Sequence, residues 1–179
     1  MKSQHHAAVV LTFLAMSTSA IADPRDVGPN TNATYVKECG ACHFPYQPAL
    51  MPAQSWRKVM SNLKDHFGET AELKVSDRDA LTAYLVAGAA DTATNQRSRE
   101  LMASLPPGEA PIRVTGILYV GGIHGGFLDP TFKGIPNVKT LANCAACHPK
   151  ADEGRYAPRD YIVTDELFRV LKGDYNVGF

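Results

Sequence analysis

The four cysteines of the 179-residue chain form two C-x-x-C pairs, and a histidine follows each pair directly. The stretches are Cys39-Gly40-Ala41-Cys42-His43 and Cys144-Ala145-Ala146-Cys147-His148. This is the attachment sequence of a c-type haem, in which two thiols bond to the porphyrin edge and the histidine binds the iron from one side. Other cysteine chemistries fit less well. Common zinc ribbons separate their two pairs by about 15–20 residues, whereas Cys42 and Cys144 lie roughly a hundred positions apart. A thioredoxin-like redox pair needs a βαβ setting, which neither pair has. Two disulfides would be the ordinary use of four cysteines in an exported protein, but the arrangement as two C-x-x-C-H units argues otherwise. The spacing therefore predicts two covalently bound haem c groups, on Cys39 and Cys42 and on Cys144 and Cys147. His43 and His148 are the iron ligands on one face of each.

The far face of each iron decides the chemistry. An open position allows ligand binding or catalysis, and a second side chain makes the group mainly an electron carrier. Six histidines occur in the sequence, of which His5 and His6 belong to the extreme N-terminus. With His43 and His148 assigned, His66 and His124 remain, which is the number needed to close two irons. His66 lies in "SWRKVMSNLKDHFG", where Trp56, Val59, Met60, Leu63 and Phe67 repeat at helical spacing. The pattern predicts a helix from a Ser55 cap to Gly68, with His66 on its apolar stripe and facing the first haem. Met60 on the same stripe and Met51 in the loop "PALMPA" are rivals, because methionine is the other common axial ligand of c-type haems. His124 lies between glycine pairs in "YVGGIHGGFLD". Glycine permits close approach of the backbone to a flat group, but an exposed histidine on a flexible loop fits this setting as well. Sequence proximity pairs His66 with His43 and His124 with His148, and a crossed pairing requires interlocked domains.

The N-terminus starts with Lys2, continues through the apolar run Ala7 to Met16 and ends in Ala20-Ile21-Ala22. The run is too short to span a bilayer, and the pattern is that of a secretory signal peptide cleaved after Ala22. The expected destination is the periplasm, and no other apolar stretch is long enough for a transmembrane segment. Removing Lys2 leaves a nearly neutral chain, which gives nucleic acid no electrostatic footprint.

The elements that must hold the two motifs follow from local patterns. "NTNATYVKECGACH" predicts a short helix capped by Thr31 or Asn32. "VSDRDALTAYLVAGAA" predicts another, with a capping-box-like start at Ser76 and Asp79 and an end at Gly88. A further helix is expected from about Thr94 to Leu105. "LPPGEAP" (Leu105 to Pro111) is the clearest linker. Beyond it, "IRVTGILYV" predicts a strand, followed by a glycine-rich loop to Gly134. A short helix would carry the second motif, and helical spacing returns in "DELFRVLKG". The expected organisation is a signal peptide (1–22), an N-terminal haem domain (23–107) and a C-terminal haem domain (108–179). The fold class is mainly α, with a small irregular second half and little β.

The residues "YVKECGACHFPYQP", "LMPAQSWRKVMSNLKDHFGE" and "LTAYL", followed by "RVTGILYV" and "ANCAACHPKADEGRY", resemble the dihaem cytochrome c family of bacterial periplasms. The resemblance runs from about Thr31 to Val163. It implies a cytochrome-c-like N-terminal domain, a small irregular C-terminal domain and two low-spin haems with two histidines each. The implied partners are other haem proteins, either a small high-spin c-type cytochrome or a membrane b-type cytochrome. No H-E-x-x-H, G-x-S-x-G or phosphate-binding loop is present, so the expected function is electron transfer rather than catalysis. The alternative is a peroxidase-like dihaem enzyme or gas sensor in which one sixth ligand, His124, is labile.

Overall fold

The structure, a computed structural model, describes residues 23–124, 135, 138–162 and 165. Among the described residues it is helical, with five α-helices, five short 3-10 turns and no strand. Helix α1 (Ala33–Cys39) carries the first motif at its C-terminus. Asn32 caps it, its side-chain oxygen accepting the Tyr35 N–H at 3.0 Å, so the second of the two anticipated caps is used.

Helix α2 (Ala53–Ser61) is shorter than the expected 55–68 helix and starts earlier. Pro52 precedes it, and the free N–H of Ala53 donates to Asp91 Oδ1 at 3.0 Å. Ser55 is therefore a buried residue inside the helix and not its cap. The helix stops because Asn62 leaves helical dihedrals (φ −126°, ψ 40°), and one 3-10 turn, Leu63–Asp65, delivers the chain to His66. The apolar stripe nevertheless exists: Trp56, Met60 and Leu63 are all buried. Trp56 Nε1 donates to Pro48 O at 2.8 Å, which satisfies the indole as it enters the core.

Helix α3 (Val75–Ala87) ends at Gly88 as its sequence predicts, but it begins beside Lys74, which places Ser76 inside the first turn instead of at the cap. It packs on α2 and buries Leu81 and Leu85 completely. Tyr84 of the same helix meets Tyr35 of α1 with ring centres 5.6 Å apart, which ties the motif-bearing helix to α3. Helix α4 (Gln96–Ala103) is capped by Asn95, whose side chain accepts the Ser98 N–H at 2.8 Å. It adds Leu101 to the same core. Each such leucine, fully buried, stabilises the fold by about 1.5–3 kcal/mol.

The stretch 112–120 departs most from expectation. In place of a strand it forms a 3-10 turn, Val114–Gly116, and helix α5 (Leu118–Ile123). Val114 and Ile117 explain why. Both are buried in the main core, and residues three apart share a face of a helical turn but point to opposite faces of a strand. Burial of both selects the helical path over the β-branched propensity. The second motif also lacks its expected α-helix and rides on a single 3-10 turn, Cys144–Ala146. Local core there is small: Ile135 and Val138, with Leu141, Ala146 and Cys147 against them. The arm at 23–30 reaches this region. Val27 N donates to Gly154 O at 3.0 Å, and Gly154 must be glycine, because its φ is +74° and a side chain would collide with the Gly28 backbone. The expected signal peptide (1–22), the expected glycine-rich loop at 125–134 and the expected "DELFRVLKG" helix lie outside the described residues, Asp165 excepted.

Candidate haem centres

The four histidines singled out in the sequence come together in two pairs. His43 follows α1 and its motif, and its Nδ1 lies 2.7 Å from Phe44 O. His66 stands beyond the turn after α2, held by its backbone rather than by a helix. Its N–H donates to Glu69 O at 2.7 Å, and Glu69 N–H returns to His66 O at 3.3 Å. Phe67 and Gly68 both take positive φ, 60° and 96°, to make this reversal. The left-handed region costs a non-glycine residue about 1–2 kcal/mol. Phe67 is offset by packing: its ring meets the His66 ring edge-on at 4.7 Å, and the Arg113 guanidinium sits 3.9 Å from its centre. The rings of His43 and His66 are 6.0 Å apart and nearly parallel, at 18°. Burial lowers the proton affinity of His66, and the neighbouring His43 and Arg113 lower it further. Tyr46 also lies against His43, with ring centres 5.7 Å apart, but its hydroxyl is engaged by Ala142 O. Of the three rival ligands only His66 sets a ring opposite His43, while Met51 and Met60 are committed to the core.

His124 caps the C-terminus of α5, with Nδ1 2.7 Å from Val120 O one turn back. It is therefore fixed to a helix end, not carried on an exposed glycine loop. His148 follows the second 3-10 turn, and its N–H donates to Cys144 O at 2.8 Å. Its ring meets Tyr156 edge-on at 5.4 Å and Tyr161 at 6.4 Å. Burial pushes its pKa down to about 4, helped by His124 and Arg97. The His124 and His148 ring centres are 6.2 Å apart and perpendicular, at 90°.

These spacings match one metal ion between two imidazoles. Two metal–nitrogen bonds of about 2 Å, plus the half-ring on either side, give roughly 6 Å between ring centres. Where a backbone carbonyl accepts Nδ1–H, as at His43 and His124, the tautomer is fixed and Nε2 is left to face the metal. Depressed proton affinity at His66 and His148 keeps those lone pairs free as well. Among the described residues no cluster of three His, Cys, Asp or Glu side chains could hold an ion. Two imidazoles fall short of the four ligands a structural zinc takes, but they complete an iron whose other four bonds come from a macrocycle. The cysteines fit this reading too. Burial pushes the thiols up, Cys39 to about 11 and Cys144 to about 12, which disfavours thiolate ligation and suits a neutral thioether.

The second pair faces a cavity of about 480 Å³. Its apolar walls include Leu50, Leu101, Val114, Val120, Ile123 and Leu141, and Cys144 and Cys147 open onto it. It is thus bounded by the N-terminal helices as well as by the second motif. Polar bonds join the same parts: Tyr46 Oη donates to Ala142 O at 2.8 Å, Gln47 Nε2 to Ala151 O at 2.6 Å, and Tyr156 Oη to Gln47 Oε1 at 2.6 Å. Sequence reasoning missed Tyr46, Gln47, Tyr156 and the two arginines of this cavity, Arg25 and Arg97. One signal was available. Arg97 precedes the buried Leu101 by four residues on α4, which puts it on the inward face.

Comparison with known proteins agrees with the geometry. The profile of the family "Dihaem cytochrome c" matches residues 35–156. The diheme cytochrome c from Rhodobacter sphaeroides is 33% identical, superposes with a TM-score of 0.63, and is matched over 72% of this chain and 99% of its own. A second structure, of DHC purified from Rhodobacter sphaeroides, gives 32% identity and 0.56, with 72% and 99% covered. The diheme cytochrome type c of Shewanella baltica OS155 gives 27% identity and 0.57, with 73% and 90% covered. No curated protein matches the chain. The chain belongs to the dihaem cytochrome c family.

Proposed function

We propose that this dihaem cytochrome c is an electron carrier with both irons closed by histidine. Cys39 and Cys42 hold the first haem through thioethers, with His43 and His66 on its iron. Cys144 and Cys147 hold the second, with His148 and His124. Support comes above all from the two imidazole pairs, spaced 6.0 and 6.2 Å, which leave room for one metal ion each and for no exchangeable ligand. When bound, the haem iron supplies one-electron ferric–ferrous chemistry. The chain supplies the rest. The His66–Glu69 reversal and the α5 C-terminus keep the rings in place, so the ligand set need not change with oxidation state. Largely apolar walls around the second site offer the macrocycle a face to pack against. Two imidazoles, with no methionine, keep the potentials below those of a Met/His cytochrome.

The proposed biology follows the same line. Residues 1–22 act as a signal peptide, and the mature chain works in the periplasm as an N-terminal unit (23–107) and a C-terminal unit (108–179), each with one haem. No described helix is long and apolar enough to cross a membrane. Electrons pass to or from another haem protein, a high-spin c-type cytochrome or a membrane b-type cytochrome, through a small transient interface. Carbon monoxide tests the closed irons. The dithionite-reduced protein is expected to keep its spectrum unchanged under the gas. Prompt binding of one equivalent per chain would overturn this reading in favour of a ligand-binding or peroxidase-like protein with a labile His124.

A further inference from the structure

Arg97 lies in the first turn of α4, is only 6% exposed and faces the cavity of the second haem. Its Nε donates to Arg25 O at 3.2 Å, its Nη1 lies 3.5 Å from Tyr119 Oη, and its guanidinium carbon is 5.5 Å from the Tyr156 ring centre. None of these partners is an anion. Among the described residues Arg97 forms no ion pair. The nearby Glu100 carboxylate is engaged by Tyr119 Oη at 2.8 Å and Gln96 Nε2 at 2.6 Å. A second guanidinium, Arg25, lines the same cavity. Glu100 offsets part of the charge of both arginines through space, but it forms no ion pair with the buried Arg97, and Arg25 stands at the exposed rim, so two cations share one carboxylate beside a largely apolar chamber. A buried charge without a counter-charge in contact is unfavourable, so the arrangement favours a second anion inside the cavity. A guanidinium binds a carboxylate through two parallel N–H bonds.

We propose that Arg97, supported by Arg25, clamps a haem propionate in this cavity and so sets the orientation and potential of the second haem. The proposal rests on haem occupying the cavity between His124 and His148. Arg97 contacts the porphyrin's carboxylate and not the iron. The paired guanidinium cancels the propionate charge, which would otherwise favour the ferric state. Arg97 therefore raises the potential of this haem.

The test is a redox titration of the purified holoprotein with the two haems followed separately by low-temperature paramagnetic resonance of poised samples. Arg97→Gln is expected to raise the oxidised-to-reduced ratio of the second haem at least tenfold at fixed potential, a downward shift of about 59 mV or more. Arg97→Lys, which keeps the charge, is expected to recover most of that shift, and the first haem to titrate as in the wild type. An unshifted second haem, or equal shifts of both haems, would overturn the clamp. If Arg97→Gln does not load the second haem, resonance Raman on loaded Arg97→Lys decides: a moved propionate bending band supports the contact and an unmoved band contradicts it. Carbon monoxide binding by the wild type would remove His124 as a ligand while leaving the Arg97 shift readable, so the two readings fail separately.

Discussion

Serine at both Cys144 and Cys147 is expected to leave the chain with one covalent haem instead of two. Mass spectrometry of the denatured protein checks it, together with a pyridine haemochrome value halved per chain. The larger consequence is for folding. The local core around the second motif consists of Ile135 and Val138 with three partly buried neighbours, and the motif itself has one 3-10 turn to hold it. The haem must supply the missing apolar volume. The cavity of about 480 Å³ is walled largely by apolar side chains, and leaving them against water forfeits about 25 cal/mol for each Å² of apolar surface that the haem would cover. The apo form of this region is therefore expected to lose the holo geometry. Amide exchange in the variant is expected to accelerate across 138–162 while α2 and α3, whose core is elsewhere, stay protected. Retained slow exchange at 138–162 would show that the region has enough core of its own.

Replacing His124 by alanine is expected to convert one haem of the pair from low-spin to high-spin. The reduced variant then binds one equivalent of carbon monoxide per chain where the wild type binds none. The side chain is held at the end of α5 by its bond to Val120 O, and no other described histidine faces His148. His66→Ala is expected to do the same at the first haem, and the double variant to bind two equivalents. Added imidazole should restore the low-spin spectrum of each single variant, since the lost group is the ligand alone. A His124→Ala protein with two low-spin haems would show that another side chain closes the second iron.

How far the sequence revealed these sites depends on how local their determinants are. The two C-x-x-C-H motifs are contiguous, so they were legible at once. His66 does stand beside His43, but the reason read from the sequence only partly holds. The stripe Trp56, Met60, Leu63 does face the core, but Asn62 ends the helix early, and the positive φ at Phe67 and Gly68 completes the placement. A turn of that kind involves contacts to Glu69 and Arg113 that periodicity does not contain. At His124 the glycine pairs masked a helix. Gly121 and Gly122 lie inside α5, where an added side chain would meet nothing, so their permissiveness is not needed by the backbone there. Helix α5 exists because Val114 and Ile117 anchor the preceding turn in a core assembled from residues far upstream. Arg97 was harder still. An arginine near a helix start reads as a solvated charge, and its spacing of four from Leu101 places it on the inward face without showing that a cavity lies there.

The ring angles give the most direct measurement. An imidazole raises the iron d orbital that its π system overlaps. Two nearly parallel rings act on one orbital and split the pair, whereas two perpendicular rings act on both and leave them almost degenerate. With 18° between His43 and His66 and 90° between His124 and His148, the frozen, fully oxidised protein should give two different low-spin ferric signals of equal weight in paramagnetic resonance. One is an ordinary rhombic spectrum, and the other is strongly anisotropic, with its main feature far to low field. A high-spin ferric signal of comparable weight would contradict the claim that two histidines close each iron.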